Sequence, residues 1–146
     1  MEIMIDNRQH SRETDLAALE ERIRRVLEGL GCAEETELSL VVTDDPTIAE
    51  LNEQYLGRKG PTNVLAFPMA EGEFAGLTPG LLGDVVVSVD TAWREAAENG
   101  LEPAEHFFRL VIHGILHLMG HDHLAGEEQA RAMEELTERL LTASAA

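Results

Sequence analysis

The sequence predicts an α+β fold: one domain over residues 1–146, with a mixed sheet of about four strands packed against about five helices. Three observations predict it. Stretches with apolar residues at alternate positions are interspersed with stretches whose apolar residues fall three and four apart, the periods of strand and helix. Glycine, proline and aspartate stand at the joints between them. No repeat, low-complexity tract or linker divides the 146 residues, a length that buries a core without disulfide staples.

In order along the chain, "EIMIDN" reads as a short first strand. "ETDLAALEERIRRVLEGLG" places Leu16, Leu19, Ile23, Val26, Leu27 and Leu30 at helical spacing, with Gly31 as its C-cap. "TELSLVVT" alternates Leu38, Leu40 and Val42 along one strand face. Asp45 then caps a helix with Pro46 in its first position, Ile48, Leu51 and Tyr55 facing inward, and a stop near Gly57. "TNVLAFP" is a third strand, halted by Pro68. Ala70 to Leu82, with Gly72, Gly76, Pro79 and Gly80, reads as a long loop, a functional cover or a mobile one. The valines of "GDVVVSV" predict a fourth strand buried on both faces. Asp90 caps a short helix ending near Gly100, and Pro103 opens the next. A last amphipathic helix runs from about Glu127 to Leu141, with Ala130, Met133, Leu136 and Leu140 inward.

Composition narrows the function classes. With 44% apolar and 27% charged residues the chain has a globular balance, and no apolar run reaches the ~18 residues of a membrane span. The start "MEIMIDNRQH" lacks the apolar centre of an export signal, and the single Cys32 cannot form an internal disulfide, so a cytoplasmic location is expected. The 28 acidic against 11 basic residues give a net charge of −17. That charge disfavours indiscriminate binding of nucleic acid, so a polyanion substrate needs a metal or a local basic patch. Small basic clusters occur at Arg22, Arg24 and Arg25 and at Arg58 and Lys59.

The stretch "HGILHLMGHDH", His113 to His123, holds four of the six histidines. From Phe107 to Met119 the helix is apolar nearly all round, which predicts burial. His113 and His117 stand one turn apart on one face, with Cβ atoms ~5–6 Å apart, close enough to share an ion. Gly120 suits a left-handed turn that reverses the chain, after which either His121 or His123 can return as a third ligand. Three imidazoles with one open position is the composition of a catalytic zinc site. Two buried, unliganded histidines would each cost a few kcal/mol, which argues against a purely structural pair.

These residues resemble the YbeY family of bacterial rRNA-maturation endoribonucleases, whose pattern H-G-x-L-H-L-x-G-[aromatic]-D-H is matched from His113 to His123. The similarity extends to "LNEQYLGRKGPTNVLAFP" (Leu51–Pro68) and "LLGDVVVS" (Leu81–Ser88). The resemblance implies that His113, His117 and His123 bind one Zn²⁺. It implies a single-strand-specific endoribonuclease acting in 16S rRNA 3′-end maturation and ribosome quality control, with the ribosomal subunit as partner. Two positions depart from the family pattern. Leu56 stands where an arginine is usual after the tyrosine, so that Arg58 either takes over phosphate binding or is a turn residue, and Ala66 replaces a common serine. His121 occupies the aromatic position. Asp122 either orients an imidazole or is a solvated loop residue. Arg109, one turn before His113, either reaches a phosphate or pairs with a carboxylate.

Two other readings stand beside this one. A zinc peptidase of the H-E-x-x-H type carries its general base directly after the first histidine, and here that residue is Gly114. A non-catalytic ribosome-assembly module with a structural metal fits the acidic charge and the leucine at position 56.

Overall fold

A computed structural model of the chain describes residues 1–69 and 80–145. Strands β1 (Glu2–Asn7), β2 (Glu37–Thr43), β3 (Val64–Pro68) and β4 (Leu81–Ser88) form one sheet in the order β1-β2-β4-β3. β1, β2 and β4 run parallel, and β3 pairs antiparallel with β4, so the sheet is mixed. Five helices accompany it: α1 (Leu16–Gly29), α2 (Asp45–Leu56), α3 (Val89–Asn99), α4 (Pro103–Leu118) and α5 (Glu127–Ser144). The architecture is the α+β one the sequence predicts.

The strand period decides what each face of the sheet touches. Leu38, Leu40, Val42, Val85 and Val87 point into the main core beneath α1, α4 and α5, and all five are fully buried. Alternate residues Leu65 and Val86 point the other way, against Ile48 of α2. The two central strands are thus covered on both faces, as the valine run of β4 requires. Each fully buried leucine or isoleucine contributes about 1.5–3 kcal/mol relative to exposure. Truncating one such as Leu40 to alanine should cost about 2–5 kcal/mol, because the void only partly closes.

Several boundaries differ from the sequence expectations for physical reasons. Asp44, not Asp45, caps α2 by accepting from the Thr47 amide at 3.0 Å. Asp45 is engaged elsewhere: its carboxylate accepts from the hydroxyls of Ser88 and Thr91, both at 2.6 Å, and from Arg94 at 3.2 Å. Burial opposes ionisation of Asp45, but these hydrogen bonds outweigh it and hold the carboxyl below its ordinary range. Likewise Ser88, not Asp90, caps α3, while Asp90 accepts from the Asp45 amide at 2.9 Å. Leu16 and Tyr55 are 40% and 59% exposed instead of inward, Tyr55 lying edge-on to Phe67 on the α2 face of the sheet. Pro68 is the last residue of β3, as expected, and is tolerated there because β3 is an edge strand.

Leu81 and Leu82 belong to β4, not to a loop. The rest of the expected loop, from Ala70 to Pro79, lies outside the described residues. The α5 helix continues three residues past Leu141, to Ser144. The capping glycines are in place: at the end of α1, Gly31 takes φ 77°, and the amides of Gly31 and Cys32 bond back to Glu28 and Leu27.

Candidate metal centre

Helix α4 is set by its two ends. The Glu102 carboxylate accepts from the amides of Ala104 and Glu105 at 3.3 and 2.8 Å, with Pro103 in the first helical position. At the other end Gly120 adopts φ 94°, its amide donating to His117 and that of His121 to Leu116, both at 3.0 Å. This paired bonding is the left-handed turn that glycine permits. It reverses the chain toward α4, and the Asp122 carboxylate, accepting from the Leu124 amide at 2.8 Å, fixes the bend beyond.

The reversal brings His123 onto the face that carries His113 and His117. Ring centroids are 4.9 Å apart for His113 and His117, 5.0 Å for His113 and His123, and 5.2 Å for His117 and His123. One nitrogen from each ring lies within 4.8 Å of the other two, close enough for the three to hold one metal ion. Among the described residues none of the three rings makes a hydrogen bond, and Nδ1 of His123 is buried without a partner. A buried ring nitrogen left without a partner costs free energy that a ligand would offset, so the donor set fits a metal.

Electrostatics point the same way. Burial, then the neighbouring rings of His117 and His123, lower the pKa of His113 to about 4. His117 is also lowered, by burial first and His123 next, with Asp122 partly opposing. Both rings are therefore neutral near pH 7, the state in which imidazole nitrogen binds metal.

A cavity of about 570 Å³ opens beside the triad between α4 and α5, lined by His113, His123, Asn63, Arg109, Glu134 and Glu138 among others. Its α5 wall and Asn63 were not singled out from sequence. Asn63 lay hidden in a segment that reads as a plain strand, and nothing in an amphipathic helix announces which side meets a cavity. Asn63 donates to the Glu95 carboxylate at 3.3 Å and accepts from the Val64 amide at 2.7 Å. Arg109 forms a two-pronged pair with Glu138, at 2.6 and 3.1 Å, so the carboxylate-paired expectation holds.

The other sequence candidates fall outside this centre. His121 is exposed at the rim, its backbone amide used in the turn. Asp122 orients no imidazole through a hydrogen bond among the described residues. Arg58 is exposed in the turn after α2, without a side-chain partner among the described residues and not in the cavity lining. Arg22, Arg24 and Arg25 are occupied by Glu105, Glu20 and Glu21, so that basic cluster is neutralised locally.

The family profile described as Endoribonuclease YbeY matches residues 4–145. The chain belongs to the YbeY family. Relatives named Endoribonuclease YbeY include those of Syntrophotalea carbinolica, 47% identical over 90% of this chain and 88% of the relative, and Geobacter metallireducens, 45% identical over 92% and 89%. A solution structure from Thermotoga maritima shares the fold at TM-score 0.65 and 25% identity, covering 97% of this chain and 88% of the other. In this YbeY chain Ala66 packs against the main core beside β4, so a methyl suits the position, while Leu56 is 49% exposed at the end of α2. No helix of the described residues is long and apolar enough to cross a membrane.

Proposed function

We propose that the chain is a zinc-dependent endoribonuclease cutting single-stranded RNA, with His113, His117 and His123 holding one Zn²⁺. We assign it to 16S rRNA 3′-end maturation and ribosome quality control in the cytoplasm, with the ribosomal subunit as partner. The observation that carries the reading is the convergence of three imidazoles, one with an orphaned buried nitrogen, beside an open cavity. The family match supplies the RNA-cleaving class.

A zinc ion bound there supplies Lewis acidity toward a phosphodiester. The chain's own residues do the rest. The α4 backbone and the Gly120 turn hold the three rings in register, so little reorganisation accompanies loading. The cavity walls, with Asn63 and Arg109, receive the strand. Arg58, exposed at the turn after α2, contacts the phosphate backbone outside the cavity.

Position 114 argues against a peptidase. A Cβ on Gly114 would lie 2.5 Å from Cγ1 of Val85 and 3.2 Å from Cγ2 of Val64. A side chain there points into the sheet and away from the triad, so a glutamate general base has no route to a bound ion.

The test pairs elemental analysis with cleavage of an rRNA fragment by native, chelator-stripped and zinc-restored protein. The expected outcome is about one zinc per chain and cleavage lost on stripping and regained on restoration. Cleavage indifferent to stripping sinks the metal-dependent reading. Full metal with no cleavage favours the assembly module.

A further inference from the structure

Among the described residues, the lining of the cavity beside the triad includes one cation, Arg109, and two carboxylates, Glu134 and Glu138. Elsewhere Arg8, Arg22, Arg24, Arg25 and Arg94 are taken up by carboxylates of the fold. Among the described residues lining the cavity, Arg109 is thus the one guanidinium offered to an RNA strand at the triad of this chain, whose net charge is −17.

The geometry of that guanidinium shows which of its donors are committed. Nε and Nη2 bond to Glu138 at 2.6 and 3.1 Å. Nη1 lies 3.5 Å from Nδ1 of His106, whose Nε2 is 2.9 Å from Glu95. The tautomer that donates from Nε2 to Glu95 leaves Nδ1 as an acceptor facing Arg109. A guanidinium carries five N–H donors. After these contacts two remain, one each on Nη1 and Nη2. The side chain is 28% exposed and lines the cavity beside the triad.

We propose that Arg109 binds, through these two uncommitted donors, the RNA phosphate next to the one held at the triad, while Glu138 and His106 fix the plane of its guanidinium. The inference rests on the RNA-cleaving reading above. A planar fork matches two phosphate oxygens, whereas a lysine would offer only a point charge. The pair with Glu138 need not break, because the two ligands use different N–H donors.

The test is binding of a single-stranded 2′-O-methyl RNA to zinc-loaded protein, followed by fluorescence anisotropy across a salt series, with strand integrity checked on a gel. Arg109→Gln should weaken binding about tenfold at low salt, the scale of one charge-assisted contact. It should also reduce the slope of log K against log salt by about 0.7, one single-strand phosphate. The double variant Arg109→Gln with Glu138→Gln keeps the chain's net charge and leaves no unpaired carboxylate at position 138, and should show the same loss of slope. Glu138→Gln alone should keep the native slope.

Native slopes in both Arg109 variants would overturn the proposal and leave the ion pair as a tie between α4 and α5. Should Arg109→Gln not fold, the double variant alone decides. A lost slope without cleavage by native protein would sink the nuclease reading only. Intact, chelator-sensitive cleavage with unchanged slopes would sink the role of Arg109 only.

Discussion

His106 and His113 stand seven residues apart on α4, two turns along nearly the same face, and have opposite fates. His106 is held at both ring nitrogens, by Glu95 at 2.9 Å and by Arg109 at 3.5 Å. His113 has no hydrogen-bond partner among the described residues, only two other imidazoles with ring centroids 4.9 and 5.0 Å away. The first is what a structural histidine looks like when the fold satisfies it. The second is a partly desolvated ring that no group of the fold satisfies, left facing the cavity and free to take a ligand. The same helix thus separates a tie from a site, and the satisfaction of hydrogen bonds draws the line more sharply than burial does.

The comparison breaks first at the metal. His113→Ala combined with His117→Ala should reduce zinc from about one per chain to nearly none and cleavage by more than about a thousandfold, since a single remaining imidazole cannot hold a catalytic ion. Elemental analysis and the rRNA assay read both. Full metal in the double variant would mean that the triad is not the site.

Acid should expose the same asymmetry in metal-free protein. An unfolded His113 takes a proton near its ordinary value of 6.5, whereas the folded residue waits until about 4. Between those values the unfolded chain binds more protons, so stability falls as pH drops through the window and is fully present above it. Denaturant midpoints of chelator-treated protein between pH 7 and 4.5 should decline less steeply in His113→Ala. Parallel declines would show that the ring is not held neutral.

How much of this was legible in the sequence follows from which interactions are local. The strand of Leu38, Leu40 and Val42 and the helix of Leu19, Ile23 and Val26 announce themselves by period, because burial on one face is enough to impose it. The pair His113 and His117 was legible because i, i+4 spacing is local geometry; the helix-ending glycine left His121 and His123 both open, and the family resemblance chose His123. The capping residues were missed by one or two positions. Asp44 and Asp45 are chemically equivalent in sequence, and only contacts with Ser88, Thr91 and Arg94, more than forty residues away, decide which one is free to cap. The α5 wall of the cavity was illegible for the same reason: helical period names the apolar face and says nothing of what the polar face meets.

Gly114 sharpens the contrast between the faces of α4, lying between two triad residues yet turned to the sheet. Gly114→Ala should lower stability by about 1–3 kcal/mol, the range for overpacking a filled core, because its methyl would sit 2.5 Å from Val85. Urea denaturation measures it, and an unchanged midpoint would show that β4 yields easily. Metal content should be retained once the variant is folded.

His106→Ala is the matched control for the triad variants. It removes a satisfied ring, so the expected loss is about 1–2 kcal/mol of stability with zinc content unchanged, the range for deleting a hydrogen-bonded partner. Metal loss equal to that of the triad variants would erase the distinction drawn between the two histidines.

The smallest effect is expected at Arg58, which is exposed and lies outside the cavity lining. An exposed arginine touching phosphate through solvent-screened contacts contributes little, so Arg58→Ala should raise KM for single-stranded RNA about threefold with kcat and zinc content nearly unchanged. That pattern separates backbone contact from chemistry, because uniform binding moves KM alone. A fall in kcat as large as the triad's would instead place the turn after α2 against the reacting phosphate, and the site would then have to close around both faces of the sheet's edge strand.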